Sequence, residues 1–456
     1  MKRVTLIATL FALFLLLGCG GGGNNAGNST PVAKEWQGVV KVDKLSTSEE
    51  ITNISIKKGL SVNKNGNAAL IWIQPNGGHK NAFASFYDFD NNSWSTPAKV
   101  DLSTHDITYA KIVLNDNNDA VAAWIQKDGS NHKNLYLRKY THGVGWSTSA
   151  HLLETNSNDV LNFDLAFVGN TAVVAWIQKS GSYKRAFVKG YDFQSDSLGG
   201  VSVQGIGNND ASTTTVGLDN NKNIMVAWTQ KYNSHTNLYA RRYNNSSSSW
   251  ENIHLLEHYT SYVFYISLDM NKDGDVAFSW MQSDGTHTNT YTSIYNHSSN
   301  SYSNQVPVDS LDTPISKPTI SINKNSDAIA AWRQKDSSGH YSVFVAKYKK
   351  STNSWSTAKS IEDVNDYNIG KLNADIDKNG NAIVIWTQKN SSNIFSIYAN
   401  YFDANENSWS GYEALENVDY DSDLPIAKMD DSGNVIAAWV QNNSAHRAHL
   451  YSNVYR

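Results

Sequence analysis

The chain has 456 residues, 40% hydrophobic, 11% aromatic and 18% charged, which is too much apolar and aromatic material for a disordered chain and enough for a large core. Its 38 basic against 42 acidic side chains give a formal charge of −4, without the basic footprint of a nucleic-acid binder. A single Cys excludes any intramolecular disulfide, so burial and hydrogen bonding must hold the fold.

The chain opens Met1-Lys2-Arg3, runs apolar from Val4 to Leu17, and reaches Gly18-Cys19. A charged start followed by 14 apolar-rich residues is the plan of a secretory signal and is too short for a stable membrane span. Leu16-Leu17-Gly18-Cys19 resembles the lipobox of bacterial lipoproteins. That resemblance implies a signal peptide over 1–18, a lipidated (palmitate-type) Cys19 as first mature residue, and anchorage in a membrane. Gly20 rather than Asp after the Cys implies, by the same resemblance, the outer membrane, with the body either periplasmic or exposed outside. Residues 19–33, rich in Gly and Asn, read as a flexible tether.

From residue 34 onward a repeat sets the architecture. Trp-x-Gln occurs eight times, with Trp at 72, 124, 176, 228, 280, 332, 386 and 439, spaced by 52, 52, 52, 52, 52, 54 and 53 residues. Each ends an apolar run entered through an Asn/Asp/Gly turn, such as Asn63-Lys64-Asn65-Gly66, which predicts a hairpin leading into a buried strand. A third strand follows with aromatics four residues apart on one face: Phe83/Tyr87, Tyr136/Tyr140, Phe187/Tyr191, Tyr239/Tyr243, Tyr291/Tyr295, Phe344/Tyr348, Tyr398/Phe402 and Tyr451/Tyr455. A fourth opens with Trp94, Trp146, Trp250, Trp355 or Trp409, replaced by Leu198 and Tyr302 in two copies. Four short strands in about fifty residues describe a blade of a β-propeller.

The eighth copy ends after its third strand, while a spare fourth-strand signature, Trp36-Gln37-Gly38-Val39-Val40, precedes the first copy. The expected fold is therefore all-β: an eight-bladed propeller of four-stranded antiparallel blades over 34–456, closed by the N-terminal strand completing the last blade. The repeated positions absorb 31 of the 52 aromatics, so the aromatic richness is mostly packing between blades.

Three polar positions recur where the second-to-third strand loops and the fourth-to-first connections should share a face. Gln74, Gln126, Gln178, Gln230, Gln282, Gln334, Gln388 and Gln441 most simply satisfy backbone groups of a neighbouring turn. His79, His132, His235, His287, His340 and His446 follow in six copies, and Tyr183 and Asn393 replace them in two. Acids close the fourth strand: Asp43, Asp101, Glu154, Glu257, Asp309, Glu362 and Glu416, with Gln204 the exception. The acid could accept a hydrogen bond from the His or from the adjacent connection and latch neighbouring blades, or the two could form a ring of equivalent sites for a hydroxyl-rich ligand. One His and one acid per copy are too few ligands for zinc.

Two turns, Asp269 to Asp275 and Asp375 to Gly380, begin like calcium loops, but Trp280 and Trp386 stand where the twelfth-position Glu belongs, so the hairpin reading is preferred and calcium is the only cofactor left open. Glu413, Glu416, Asp419, Asp421 and Asp423 read as a solvated connection. The third copy departs most from the repeat, lacking Trp, acid and His at Leu198, Gln204 and Tyr183. There is no nucleophile elbow, HExxH or P-loop, and no sialidase-type Asp-box, because Asp90 precedes Trp94 with no Gly between.

The unit Val121-Ala-Ala-Trp124-Ile-Gln126, then Leu135-Tyr136-Leu-Arg138-Lys-Tyr140, then Gly145-Trp146-Ser147, resembles the blade of fucose-binding and related bacterial propeller lectins. That resemblance implies sugar binding at blade junctions, with Arg138 and Arg241 at the position of the family's sugar-holding Arg and Ser85, Lys189 and Thr292 in other blades. The leading expectation is a membrane-anchored binding protein of the bacterial envelope that holds a glycan or an envelope protein on its loop face. Its alternatives are a carbohydrate-active enzyme with one site in the central channel, and a scaffold subunit without a small ligand. Nucleic acid is not an expected partner.

Overall fold

A computed structural model describes residues 34–44, 50–53, 58–154, 156–362, 367–416, 418 and 420–456. The predicted signal peptide, Cys19 and tether lie outside these residues, as does Asp419. The body, Glu35 to Arg456, is an eight-bladed propeller of antiparallel sheets in which each blade meanders outward from its first strand.

Blade two shows the plan. Ile107–Leu114 lies innermost, Ala120–Lys127 and Lys133–Thr141 follow, and the outer edge is made of two short pieces, Gly145–Trp146 and His151–Leu152. The second strand is buried along almost its whole length, because it is covered on both faces by neighbouring blades. All eight second-strand Trp are fully buried. The first aromatic of the third strand packs against this indole, as in Trp124 and Tyr136 with ring centres 5.8 Å apart. The second packs on the outer-strand aromatic, as in Tyr87 and Trp94 at 5.3 Å.

The ring closes as the permuted signature requires. Val40–Lys41 pairs antiparallel with Ser452 and Tyr451 of the last blade. Trp36 bridges to Tyr455, their rings 5.4 Å apart, so it fills the place that Trp94 takes in blade one. Asp43 then receives the Leu450 amide at 3.0 Å and stands 2.7 Å from His449 Nδ1.

The turns between first and second strands are stitched around the ring. Asn115 Oδ1 accepts the amides of Asn117 and Asp119, while its Nδ2 donates to the Gly169 carbonyl of the next blade. Asn271 and Asn323 repeat the pattern. In both calcium-like sequences the turn-heading group is occupied in the same way: Asp377 Oδ1 accepts from Asn379 and Asn381, and Asp269 and Asp375 stand two residues before the turn heads and line the channel. Among the described residues, no group of three His, Cys, Asp or Glu side chains could hold a metal ion.

Candidate functional site

The Gln ring is a set of clamps. Each Gln Oε1 accepts the indole N–H of the Trp two residues before it, at 2.9 to 3.3 Å in all eight blades. The Nε2 turns to carbonyls of the preceding connection, such as His105 for Gln126 and Leu311 for Gln334. An amide can accept from the indole through its oxygen and donate to a carbonyl through its nitrogen at once.

The strand-end acids point into the blade junctions. Asp101, Glu154, Asp309 and Glu416 each accept an amide N–H of their own third strand, from Ala82, Leu135, Thr290 and Ile397. Asp101, Glu257 and Glu362 also receive the Gln of the next blade, Gln282 Nε2 lying 2.8 Å from Glu257 Oε2. Asp101, Glu154, Glu257 and Glu362 are buried, and Asp309 and Glu416 half-buried. Burial pushes the Glu154 carboxyl up to about 7 and that of Asp309 to about 6, against the pull of their amide donors.

The histidines lie apart from these acids. His79, His287 and His446 are exposed, and His132, His235 and His340 half-buried, at the tips of the second-to-third strand loops. Their backbone amides close the loops, as His132 N–H does on Asp128 Oδ1. The nearest carboxylates to their rings are loop acids, Asp106 to His79 at 3.9 Å, Asp128 to His132 at 3.8 Å and Asp312 to His287 at 3.6 Å. The expected His-to-acid hydrogen bond is therefore not formed, because the loop lifts the imidazole toward solvent while the acid turns down to cap a strand. Latching is done by acid, strand amide and Gln. Arg138 and Arg241 are likewise spent within the body, on the carbonyls of Val100 and Ser147 and on Glu251 O and Gln204 Oε1.

The repeat is broken in blade five, where sequence reasoning did not look. Most segments entering a first strand are polar, but this one reads His258-Tyr259-Thr260-Ser261-Tyr262-Val263-Phe264-Tyr265. Val263 turns inward, while Tyr262, Phe264 and Tyr265 are each at least half exposed and Tyr259 partly so. A bulge between Phe264 and Ser267 puts two consecutive side chains on the outer surface, with Tyr265 at φ 49°. The rings of Tyr262 and Phe264 stack 6.1 Å apart, and Lys317 Nζ stands 5.9 Å over Tyr265. Tyr109 and Leu161, also exposed, hold the position of Tyr265 in blades two and three, fifteen residues before their Trp. An aromatic cluster turned outward by a bulged strand is unusual on a protein surface and marks a contact site.

The first strands enclose a channel with two chambers. One, of about 200 Å³, is lined in blade five by Ile266 to Asp269, which follow the aromatic cluster in the chain; the other, of about 540 Å³, opens between the turns of the first two strands. Lys58, Asp269 and Lys428 line both. On one wall Lys58 and Lys111 both pair with Asp164 at 3.0 Å, and Thr215 Oγ1 and the Val216 amide complete its shell. Burial alone would raise the Asp164 carboxyl, but the two ammonium groups hold it far below the usual range. On the other wall Lys428 pairs with Asp375 at 2.9 Å, and Ser321 Oγ lies 2.7 Å from Asp375 and 3.1 Å from Asp269. At the turn-face mouth Lys272 reaches across from blade five to Asp116 of blade two, 2.6 Å away.

No family model matches the chain, and no curated protein matches it. Solved structures do match. The β-propeller domain of the Trilobed protease from Pyrococcus furiosus is 9% identical over 81% of this chain and 96% of its own, with a TM-score of 0.45. A mutant of the NanB sialidase from Streptococcus pneumoniae is 8% identical over 93% and 98%, at 0.40. An ulvan lyase, described as a new family of polysaccharide lyase, is 11% identical over 61% and 78%, at 0.42. Likeness at this level concerns the path of the chain alone.

Proposed function

We propose that this protein is a glycan-binding protein of the bacterial envelope, anchored through lipidated Cys19 in the outer membrane, which presents the loop face of its propeller to the ligand. The observation that carries the reading is the exposed cluster Tyr259, Tyr262, Phe264 and Tyr265 at the loop-face end of the channel. Aromatic faces stack on the C–H faces of sugar rings, and Tyr adds a hydroxyl to an apolar plane, so one ring meets both sides of a sugar's chemistry. Thr260 adds a hydroxyl within the same segment. The cluster occurs in one blade, which favours one principal site over eight equivalent ones. An envelope protein as partner is the other outcome of the same test.

The test is a glycan array probed with the full-length protein in detergent, and with a Tyr262→Ala/Phe264→Ala variant. Saturable binding that falls at least tenfold in the variant, with its circular dichroism unchanged, supports the reading. Binding that survives the double substitution overturns this site, and silence of the array turns the cluster toward a protein partner.

A further inference from the structure

The channel walls carry three lysines and three aspartates, but they are not paired one to one. Lys58 and Lys111 both serve Asp164, and Lys428 serves Asp375. Asp269 has no ion pair of its own: among the described residues no ammonium or guanidinium nitrogen lies within 4.0 Å of it, and Lys428, paired with Asp375, attracts it only from farther off. Its Oδ2 accepts from the Ile322 amide and Ser321 Oγ, at 2.9 and 3.1 Å, while Oδ1 accepts no hydrogen bond among the described residues, and the side chain lines both chambers. Burial raises this carboxyl above its ordinary range, so its charge is held at a cost that a bound cation would relieve.

The same ring of positions, eleven residues before the Trp in most blades, shows how local the arrangement is. Blades one to four contribute Ser61, Val113, Ala166 and Gly217, and blades five to eight Asp269, Ser321, Asp375 and Lys428. A requirement of the repeat would recur in every blade; this polar half-ring does not.

At the turn-face mouth charges of both signs meet, Asp116, Asp273, Asp377, Asp430 and Asp431 standing among a set of lysines. Lys64, Lys272, Lys324 and Lys378 occupy the second position of their turns and line the larger chamber. Lys272 is engaged by Asp116, whereas Lys64, Lys324 and Lys378 make no ion pair among the described residues. The strand rises about 3.3 Å per residue, so three residues separate Asp269 from the lysine ring by roughly 10 Å. The chamber, about 540 Å³, is within the span of small-molecule sites.

We propose that this chamber is a second binding site, distinct from the aromatic cluster, for a short peptide of two or three residues bound by its termini, with the N-terminal ammonium on Asp269 and the C-terminal carboxylate at Lys324 and Lys378. The ammonium donates to Asp269 Oδ1, and Ser321 and Lys428 fix the carboxylate wall behind it. A single α-amino acid is too short to reach both ends, because its two charged groups sit on one carbon. A neutral sugar would leave Asp269 unpaired.

The experiment is isothermal titration of the full-length protein with trialanine, N-acetyl-trialanine, trialanine amide, alanine and a neutral disaccharide. The expected result is saturable binding of trialanine, weakened at least tenfold by either blocking group, by Asp269→Asn, and by Lys324→Ala/Lys378→Ala. The lysine pair lies on the surface, so its loss of binding is readable even if Asp269→Asn unfolds. Absence of trialanine binding, equal binding of the blocked peptides, or preference for the disaccharide overturns the proposal. The Tyr262→Ala/Phe264→Ala variant should bind trialanine as the parent does, so failure here and failure of the loop-face glycan site are read separately.

Discussion

Gln282 Nε2 lies 2.8 Å from Glu257 Oε2, with the Trp280 indole on the other end of the same amide. One side chain thus ties the core of blade five to the last strand of blade four. Gln282→Leu removes the acceptor of a buried indole and the donor to Glu257 and two carbonyls. It should cost about 3 kcal/mol, read as a lower midpoint in guanidinium unfolding at unchanged m-value. A loss below ~0.5 kcal/mol would show that the clamp is dispensable.

Glu154 gives the body a pH dependence of defined sign. Its carboxyl is pushed up to about 7 in the folded state, mainly by burial, against an ordinary unfolded value near 4.3. The folded protein therefore binds more protons than the unfolded one between these values, and this group's contribution to stability is complete below the lower value and lost as pH rises through about 7. The parent should lose more stability between pH 5 and 8 than Glu154→Gln does, by on the order of 3 kcal/mol. Parallel pH profiles for the two proteins would refute this.

Closure of the ring rests on Asp43 as much as on the strand that carries it. Asp43→Ala strips the partner from the Leu450 amide and from His449 Nδ1, both buried. A loss of about 2–3 kcal/mol is expected, with hydrogen exchange speeding first in the last blade. Uniform acceleration in all blades would place the weak point elsewhere.

Asp164→Asn leaves Lys58 and Lys111 facing each other without their shared carboxylate. Lys111 is half-buried on the channel wall, and burial already depresses its ammonium. Breaking such a pair costs about 3–5 kcal/mol, the largest loss expected from any single channel substitution. Replacing Lys111 by Met in the same background should recover part of it, because the unpaired charge leaves with it.

Cys19→Ser tests the anchor. The full-length protein should fractionate with membranes and take up labelled palmitate, and the variant should do neither. Membrane association retained by the variant would remove the lipid from the account.

Much of this fold was written in spacing. The Trp-x-Gln period and the displaced Trp36 signature specify eight blades and a borrowed strand, because closure is a demand on the chain's order alone. That Gln serves backbone groups of a neighbouring turn was readable from its recurrence, but that its oxygen takes the indole N–H of the Trp two residues earlier was not. Nor was the site. His and acid recur in register, yet recurrence does not say which way a side chain turns, and the acids turn inward to the Ala82 and Leu135 amides. The blade-five aromatics were visible as letters, at Tyr262, Phe264 and Tyr265, but only the bulge reveals that two neighbours share the outer surface. The pair at the channel mouth, Lys272 with Asp116, joins residues 156 apart in sequence, which no local pattern announces.

The hydrophobic clusters do not coincide with the blades. Trp124 is packed with Ile71, Ala82 and Ala84 of the blade before it, and Trp176 with Val121, Leu135 and Leu137. Each interior is thus held in joint tenancy by two sheets, and no sheet has one to itself. A blade cannot melt without emptying half of the core on either side, so the ring should come apart as one cooperative body, with no stable seven-bladed intermediate on the way.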